Sequence, residues 1–188
     1  MWQKYLQDAR LFDILQRYDE DIARKRKAEG CACGGRLDCA NFRRKPRGLP
    51  SNVPEDLAAA YQLRLSLCCA TCRSRTTPVS VRFFGRRVYA GAVFVLISAL
   101  AIGLTGKKIA KLTKTFGVDR RTLRRWRRWW QSWFVGSDFW RIARGSFSTP
   151  VAPDQLPASL LERFTGDEAH IRIRCALSFL SALSTTSP

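Results

Sequence analysis

Two pairs of closely spaced cysteines are the residues of this sequence best suited to chemistry. Cys31 and Cys33 are separated by one residue, and Cys69 and Cys72 are separated by two. Thiolates two or three positions apart converge on one metal ion, and four thiolates form the usual closed structural zinc site. We therefore predict a structural Zn²⁺ bound by Cys31, Cys33, Cys69 and Cys72.

The remaining three cysteines leave the choice of ligands open. Cys39 and Cys68 lie close to the predicted pairs. Either of them is an alternative ligand, and Cys68 in particular competes with its neighbour Cys69. Cys175 lies among apolar residues of a predicted C-terminal helix, and we expect it in the core, where free cysteines are common.

The groups of residues that most catalytic mechanisms require are not visible in the sequence. Two-metal nucleases and transposases need three converging carboxylates, but the strongly basic stretch 82–128 contains only Asp119. The acidic run Asp19–Asp21 is interpreted as a solvated helix face. His170 is the only histidine, and it lies far along the chain from the basic stretch. We predict that the protein is not an enzyme.

Arginine and lysine form the second group of residues with an evident chemical role. The 188 residues carry a formal net charge of +18. Thirteen basic residues and one acidic residue lie between positions 82 and 128. Such a concentration exceeds what solubility requires and indicates a polyanionic partner, with nucleic acid the leading candidate.

Residues 105–126 predict two helices joined by a tight turn. Gly117 is suited to the left-handed residue that ends the first helix, and Asp119 is placed to cap the second. The first helix would bury an apolar stripe of Ile109, Ala110, Leu112 and Phe116, while Val118 fills the turn and Leu123, Trp126 and Trp130 face inward from the second helix. This pattern is typical of a helix-turn-helix that places its second helix in the major groove of DNA.

The second predicted helix is covered with arginines, whose planar guanidinium groups can bind guanine or phosphate through two hydrogen bonds. We predict that double-stranded DNA is the partner. Contacts to base edges are expected from Arg120, Arg121, Thr122 and Arg125, and contacts to phosphates from Arg124, Arg127 and Arg128.

The secondary structure expected around the cysteines and the arginines indicates a mainly α protein. It would contain a small β-containing, zinc-ribbon-like module and a three-helix helix-turn-helix unit. We divide the chain into an N-terminal helical segment (1–30), a cysteine-rich module (31–80), the helix-turn-helix domain (87–135) and a C-terminal helical extension (136–188). The neutral, apolar character of the last segment suggests packing or protein contacts, including self-association.

Residues 88–104 form a run of seventeen uncharged residues that fits two structures. The run is at the short edge of what a membrane-spanning helix requires, and we favour a buried first helix of the DNA-binding unit. The charged, amphipathic N-terminus does not resemble a signal peptide. We therefore expect a cytoplasmic protein associated with the bacterial nucleoid.

The order of these motifs resembles that of small bacterial proteins associated with transposable elements. The resemblance rests on the cysteine module, on CRSRTTPVSVRFFGRRVY at 72–89 and on GVDRRTLRRW at 117–126. Such proteins combine a zinc ribbon with a helix-turn-helix and are encoded beside, or fused to, transposases. The resemblance implies recognition of element DNA by the helix at 119–128, with the four predicted cysteines as metal ligands and a transposase as a candidate partner.

Three functions thus remain open. The first is a non-catalytic accessory protein of a transposable element. The second is a transcription repressor with the same DNA-binding unit, for which a palindromic site would be expected. The third is a small membrane-associated protein anchored through residues 88–104.

Overall fold

The computed structural model describes residues 2–185 and is mainly helical, with small antiparallel sheets. The helices are α1 (Ala9–Glu29), α2 (Glu55–Tyr61), α3 (Gly91–Leu100), α4 (Gly106–Phe116), α5 (Arg120–Arg128), α6 (Asp138–Ala143), α7 (Ala158–Leu161) and α8 (Ala169–Leu180). The strands are β1 (Leu37–Cys39), β2 (Phe42–Arg43), β3 (Leu63–Arg64), β4 (Leu67–Cys69) and β5 (Arg75–Thr76). A mainly α protein with a small β component was predicted, and this part of the prediction is confirmed.

The described chain divides into two compact units, each of which joins parts of several predicted segments. Residues 7–91 and 177–185 form what we call the cysteine unit, and residues 2–6 and 92–176 form the arginine unit. The N-terminal helix is not a separate segment because its apolar face is needed to build the cysteine unit. The C-terminal segment is divided between the units, since Ser184 Oγ accepts a hydrogen bond of 2.9 Å from the backbone amide of Ser80.

Helix α1 is the main element of the cysteine unit. Asp8 caps its first turn by accepting a hydrogen bond of 3.0 Å from the amide of Arg10. Leu11, Phe12 and Leu15 are almost completely buried, and α1 contacts both α2 and β1. The strands form a three-stranded sheet in the order β1-β4-β5 and a separate β2-β3 pair.

A buried ion pair holds α1 to the segment that follows β5. The guanidinium of Arg82 donates to Asp19 at 2.8 Å, and both side chains are essentially inaccessible to solvent. The same carboxylate accepts hydrogen bonds from the hydroxyl of Ser80 and from the amide of Val81. The interpretation of residues 19–21 as a solvated face is therefore wrong for Asp19, although Glu20 and Asp21 are exposed.

The arginine unit is built around α3, which is buried along most of its length. Phe94 lies at its centre and contacts the rings of Trp126, Trp129 and Trp130 at centroid distances of 5.2, 5.4 and 5.3 Å. After Arg128 the chain continues as a π-helical turn over Trp129–Phe134. Helix α3 covers ten residues of the uncharged run, and none of the helices described within residues 2–185 is long and apolar enough to cross a membrane.

Candidate metal centre and nucleic-acid interface

The three-stranded sheet brings the two cysteine pairs together. Strand β1 pairs antiparallel with β4, in a register that places Leu37 opposite Cys69. Cys31 and Cys33 lie in the turn just before β1, while Cys72 follows β4 in the turn to β5. Pairing of the two strands therefore brings both turns to the same end of the β1-β4 pair.

The four thiols form a group whose dimensions suit a metal ion. The sulfur atoms of Cys31 and Cys72 are 3.6 Å apart, and those of Cys33 and Cys69 are 3.5 Å apart. All four sulfurs lie within 4.8 Å of one another. A tetrahedron with metal–sulfur bonds of about 2.3 Å has sulfurs about 3.8 Å apart, whereas a disulfide bond is only about 2 Å long. The predicted proximity of these four cysteines is confirmed.

The structure also distinguishes these cysteines from the alternative ligands. Successive side chains of a strand point to opposite faces, so Cys68 and Cys69 point in opposite directions. The thiol of Cys68 lies 3.5 Å from the backbone oxygen of Arg73, and the thiol of Cys39 lies 4.0 Å from the ammonium of Lys27. Neither belongs to the group of four.

Backbone amides adjust the acidity of the grouped thiols. The amides of Cys72 and Thr71 each lie 3.4 Å from the sulfur of Cys69. The hydrogen bond from the Cys72 amide is the main reason why the pKa of Cys69 falls to about 6. For Cys72 itself, a backbone hydrogen bond involving Ser74 acts to lower the pKa, but the neighbouring thiols outweigh it and raise the pKa to about 12. The thiols therefore ionise as a coupled group, with one thiolate forming first.

Gly35 allows the two turns to approach each other, and sequence reasoning missed its role. A Cβ atom at this position would lie 2.6 Å from the sulfur of Cys69 and 2.6 Å from the hydroxyl oxygen of Thr71. Any larger residue would therefore push the second cysteine pair away from the first. The Gly34-Gly35 pair directly after Cys33 is the signal that could have identified this close contact.

The turn between α4 and α5 has the local geometry predicted from its residues. Gly117 adopts the left-handed conformation, with φ of 59° and ψ of 28°, and Val118 is buried. The carboxylate of Asp119 accepts hydrogen bonds from the amides of Arg121 and Thr122, at 2.7 and 3.2 Å. The cap thus fixes where α5 begins.

Six arginines of α5 are exposed, and they form two rows along the helix. One row, which we call the inner row, consists of Arg120, Arg124 and Arg127. The other, the outer row, consists of Arg121, Arg125 and Arg128. Within each row the residues are four and three positions apart, so they lie on one side of the helix. No acidic side chain among residues 2–185 forms an ion pair with any of the six. These charges are therefore not neutralised within the described chain.

Neither arrangement can be interpreted by analogy. Comparison with known proteins finds no matching family model, curated protein or solved structure. The two features that bear on function are therefore the cluster of four thiols and the two arginine rows.

Thr122 is the one predicted DNA-contacting residue that does not lie on the exposed surface of α5. Its side chain is 8% exposed, and its hydroxyl accepts a hydrogen bond of 3.0 Å from the guanidinium of Arg125. The contact of Thr122 with a base stays a prediction, but the structure places its side chain largely in the core. Its contact with Arg125 gives Thr122 a positioning role.

Proposed function

We propose that the arginine unit binds double-stranded DNA through a helix-turn-helix formed by α3, α4 and α5, with α5 lying in the major groove. The observation that carries this proposal is the set of six exposed arginines on one capped helix, without an acidic partner among residues 2–185. A polyanion is the partner that such a surface requires.

The outer row is best suited to reading the groove. Arg121 lies in the first turn of α5 and Arg125 in the second, and these turns usually make the base contacts of a recognition helix. Each guanidinium can donate two hydrogen bonds to guanine O6 and N7. Arg124, Arg127 and Arg128 then contact phosphates, which position the helix without reading sequence. The hydrogen bond to Thr122 supports Arg125 by restricting its side chain.

The buried side of α5 supports the same function because it makes the helix rigid. Leu123, Trp126 and Trp130 are all less than 7% exposed, and the two tryptophans contact Phe94 of α3. The arginines are therefore presented from a helix that is held against a large aromatic core. A rigid scaffold reduces the entropy that is lost when the guanidinium groups are ordered on DNA.

In this proposal the four clustered thiols of the cysteine unit bind Zn²⁺. Four thiolates at these distances match the closed tetrahedral site that zinc prefers, and such a site has no open position for a reacting water. The metal would stabilise the turns around β1 and β4 in a zinc-ribbon-like module. We assign the ion a structural role and assign the protein no catalytic role.

The biological role that we propose is that of a non-catalytic accessory protein of a transposable element. It is supported by the order of the elements along the chain, with a cysteine module followed by the arginine-covered helix, as in the proteins that the sequence resembles. A transposase bound to the same element DNA is the partner this role requires.

DNA binding is tested by measuring the affinity of the zinc-loaded full chain for duplex DNA at two salt concentrations. We expect the double variant Arg121→Gln/Arg125→Gln to bind about 100-fold more weakly, because each lost arginine contact to a base is worth about 1–3 kcal/mol. Any substituted arginine that instead contacts a phosphate would also reduce the salt slope by about 0.9.

The matched control is Arg17→Gln/Arg24→Gln, which removes the same charge from exposed positions of α1. We expect this control to bind DNA nearly as well as the unmodified chain. Equal loss of affinity in both double variants would mean that only net charge attracts DNA, and the proposed interface would be wrong. Absence of duplex binding at low salt would also overturn the proposal.

A further inference from the structure

A cavity of about 250 Å³ lies within the arginine unit beside the inner row of α5. Its apolar lining consists of Ala101, Ile102, Ile109, Leu123 and Leu156. A single water molecule needs only about 10–15 Å³, so the cavity is large enough for an organic molecule. These apolar residues come from α4, α5 and the segments that follow α3 and precede α7.

Two buried polar atoms in the lining have no hydrogen-bond partner among residues 2–185. They are the hydroxyl oxygen of Ser98 and the indole nitrogen of Trp130. Ser98 is 6% exposed and Trp130 is 0% exposed. An unpaired buried polar group costs about 1–3 kcal/mol, and most such groups in folded proteins are paired. Both atoms are almost completely inaccessible, so the kind of ligand is indicated by the other groups of the lining.

The charged groups around the cavity indicate the charge of the ligand that it favours. Arg120, Arg124 and Arg127 line it, and Asp154 is the one acidic residue of the lining. Gln131 adds a neutral polar group. Three guanidinium groups against one carboxylate leave the cavity positive, and guanidinium binds carboxylate and similar oxyanions through paired hydrogen bonds.

We propose that this cavity binds a small organic anion with an apolar body, such as an aromatic or acyl carboxylate. The apolar lining takes the body of the ligand, and the inner arginine row takes its oxyanion. The ligand thus occupies the inner side of α5. It would compete with DNA phosphates for the inner row, so its binding is measured without DNA.

The test uses two probes with the same aromatic body, one anionic and one neutral. The anionic probe is 8-anilinonaphthalene-1-sulfonate, and the neutral probe is N-phenyl-1-naphthylamine, which lacks the sulfonate. Fluorescence titration of the zinc-loaded full chain should show saturable binding of one sulfonate probe per chain, at least about tenfold tighter than the neutral probe, since charge-assisted hydrogen bonds are worth about 1.5–3 kcal/mol.

Matched variants locate the bound probe. Arg124→Gln removes a charge that lines the cavity, whereas Arg128→Gln removes one from the outer row of the same helix. We expect the first to weaken sulfonate binding about tenfold without changing binding of the neutral probe, and the second to leave both affinities unchanged.

A third variant, Ala101→Phe, places a larger side chain in the lining and should weaken both probes, with thermal unfolding used to confirm that the chain is folded. Equal weakening of the sulfonate probe by Arg124→Gln and Arg128→Gln would overturn the proposal, because it would indicate general attraction to a basic surface. Unchanged binding of both probes to the folded Ala101→Phe variant would also overturn it.

Discussion

Arginine side chains lie in opposite environments in the two units: Arg82 of the cysteine unit is buried, and the arginines of α5 are exposed. Arg82 is fully buried, and each of its guanidinium nitrogens donates a hydrogen bond, to Asp19, Gln16 and the backbone oxygens of Ala60 and Leu63. The six arginines of α5 are exposed and have no acidic partner among residues 2–185. A buried charge requires such partners because its desolvation costs several kcal/mol.

The comparison separates the residues that hold this protein together from those available to bind a partner. Polar groups of the cysteine unit converge on one another, as in the Asp19–Arg82 pair and in the four thiols. The guanidinium groups of α5 are instead exposed and, apart from the hydrogen bond from Arg125 to Thr122, most of their hydrogen-bonding capacity is left for other molecules. Substitutions in the first set should therefore change stability, and substitutions in the second should change binding.

The largest effect is expected from removing one member of the cluster of four cysteines. Cys72→Ser should reduce bound zinc from one ion per chain to nearly none, because a hydroxyl is a poor replacement for a thiolate ligand. Since structural zinc supplies about 10–16 kcal/mol in small zinc modules, the cysteine unit should lose its cooperative thermal transition. Zinc analysis and thermal unfolding with and without a chelator measure both changes.

The control for this prediction is Cys39→Ser, which changes an exposed cysteine outside the group of four. This variant should retain its zinc and its thermal transition. Full zinc occupancy in Cys72→Ser, or equal loss in the control, would show that the ligands have been wrongly identified.

The next largest effect is expected at the buried ion pair. Arg82→Met leaves the Asp19 carboxylate buried without its guanidinium partner, and the free energy of unfolding should fall by about 3–5 kcal/mol. Removing the exposed partner of Asp13 with Arg17→Met should change it by less than about 1 kcal/mol. Urea denaturation measures both values. Similar losses in the two variants would show that burial does not distinguish these ion pairs.

The sequence predicted features that depend on neighbouring residues. Gly117 and Asp119 act within one turn, so the end of α4 and the cap of α5 could be placed from their identities alone. The cysteine pairs were recognisable for the same reason. Cys68 remained an alternative to the predicted ligand Cys69, because the choice between them depends on which face of β4 is turned toward the first pair.

Long-range pairing explains what the sequence could not predict. Asp19 and Arg82 are 63 positions apart, and neither residue differs in its local pattern from a solvated charge. The same limit applies to the division of the chain, since only the folded structure places residues 177–185 with α1. The burial of Thr122 was not predicted because the predicted apolar stripe did not include it.

A smaller effect is expected at the turn before α5. Gly117 and Gly106 both have open space where a Cβ would lie, but only Gly117 has a positive φ, of 59°. Gly117→Ala should therefore destabilise the chain by about 1 kcal/mol, whereas Gly106→Ala should be neutral or stabilise it by up to about 1 kcal/mol. Thermal unfolding of the two variants tests the difference. Equal effects would mean that the left-handed conformation is not required.

The smallest effect on stability is expected from the arginines of the outer row. Arg121→Gln should leave the free energy of unfolding within about 0.5 kcal/mol of the unmodified chain, because an exposed side chain without an ion pair contributes little to folding. Arg82→Met, measured under the same conditions, provides the contrast. A loss above about 1 kcal/mol in Arg121→Gln would give this arginine a structural role, and its exposure would then no longer indicate a binding surface.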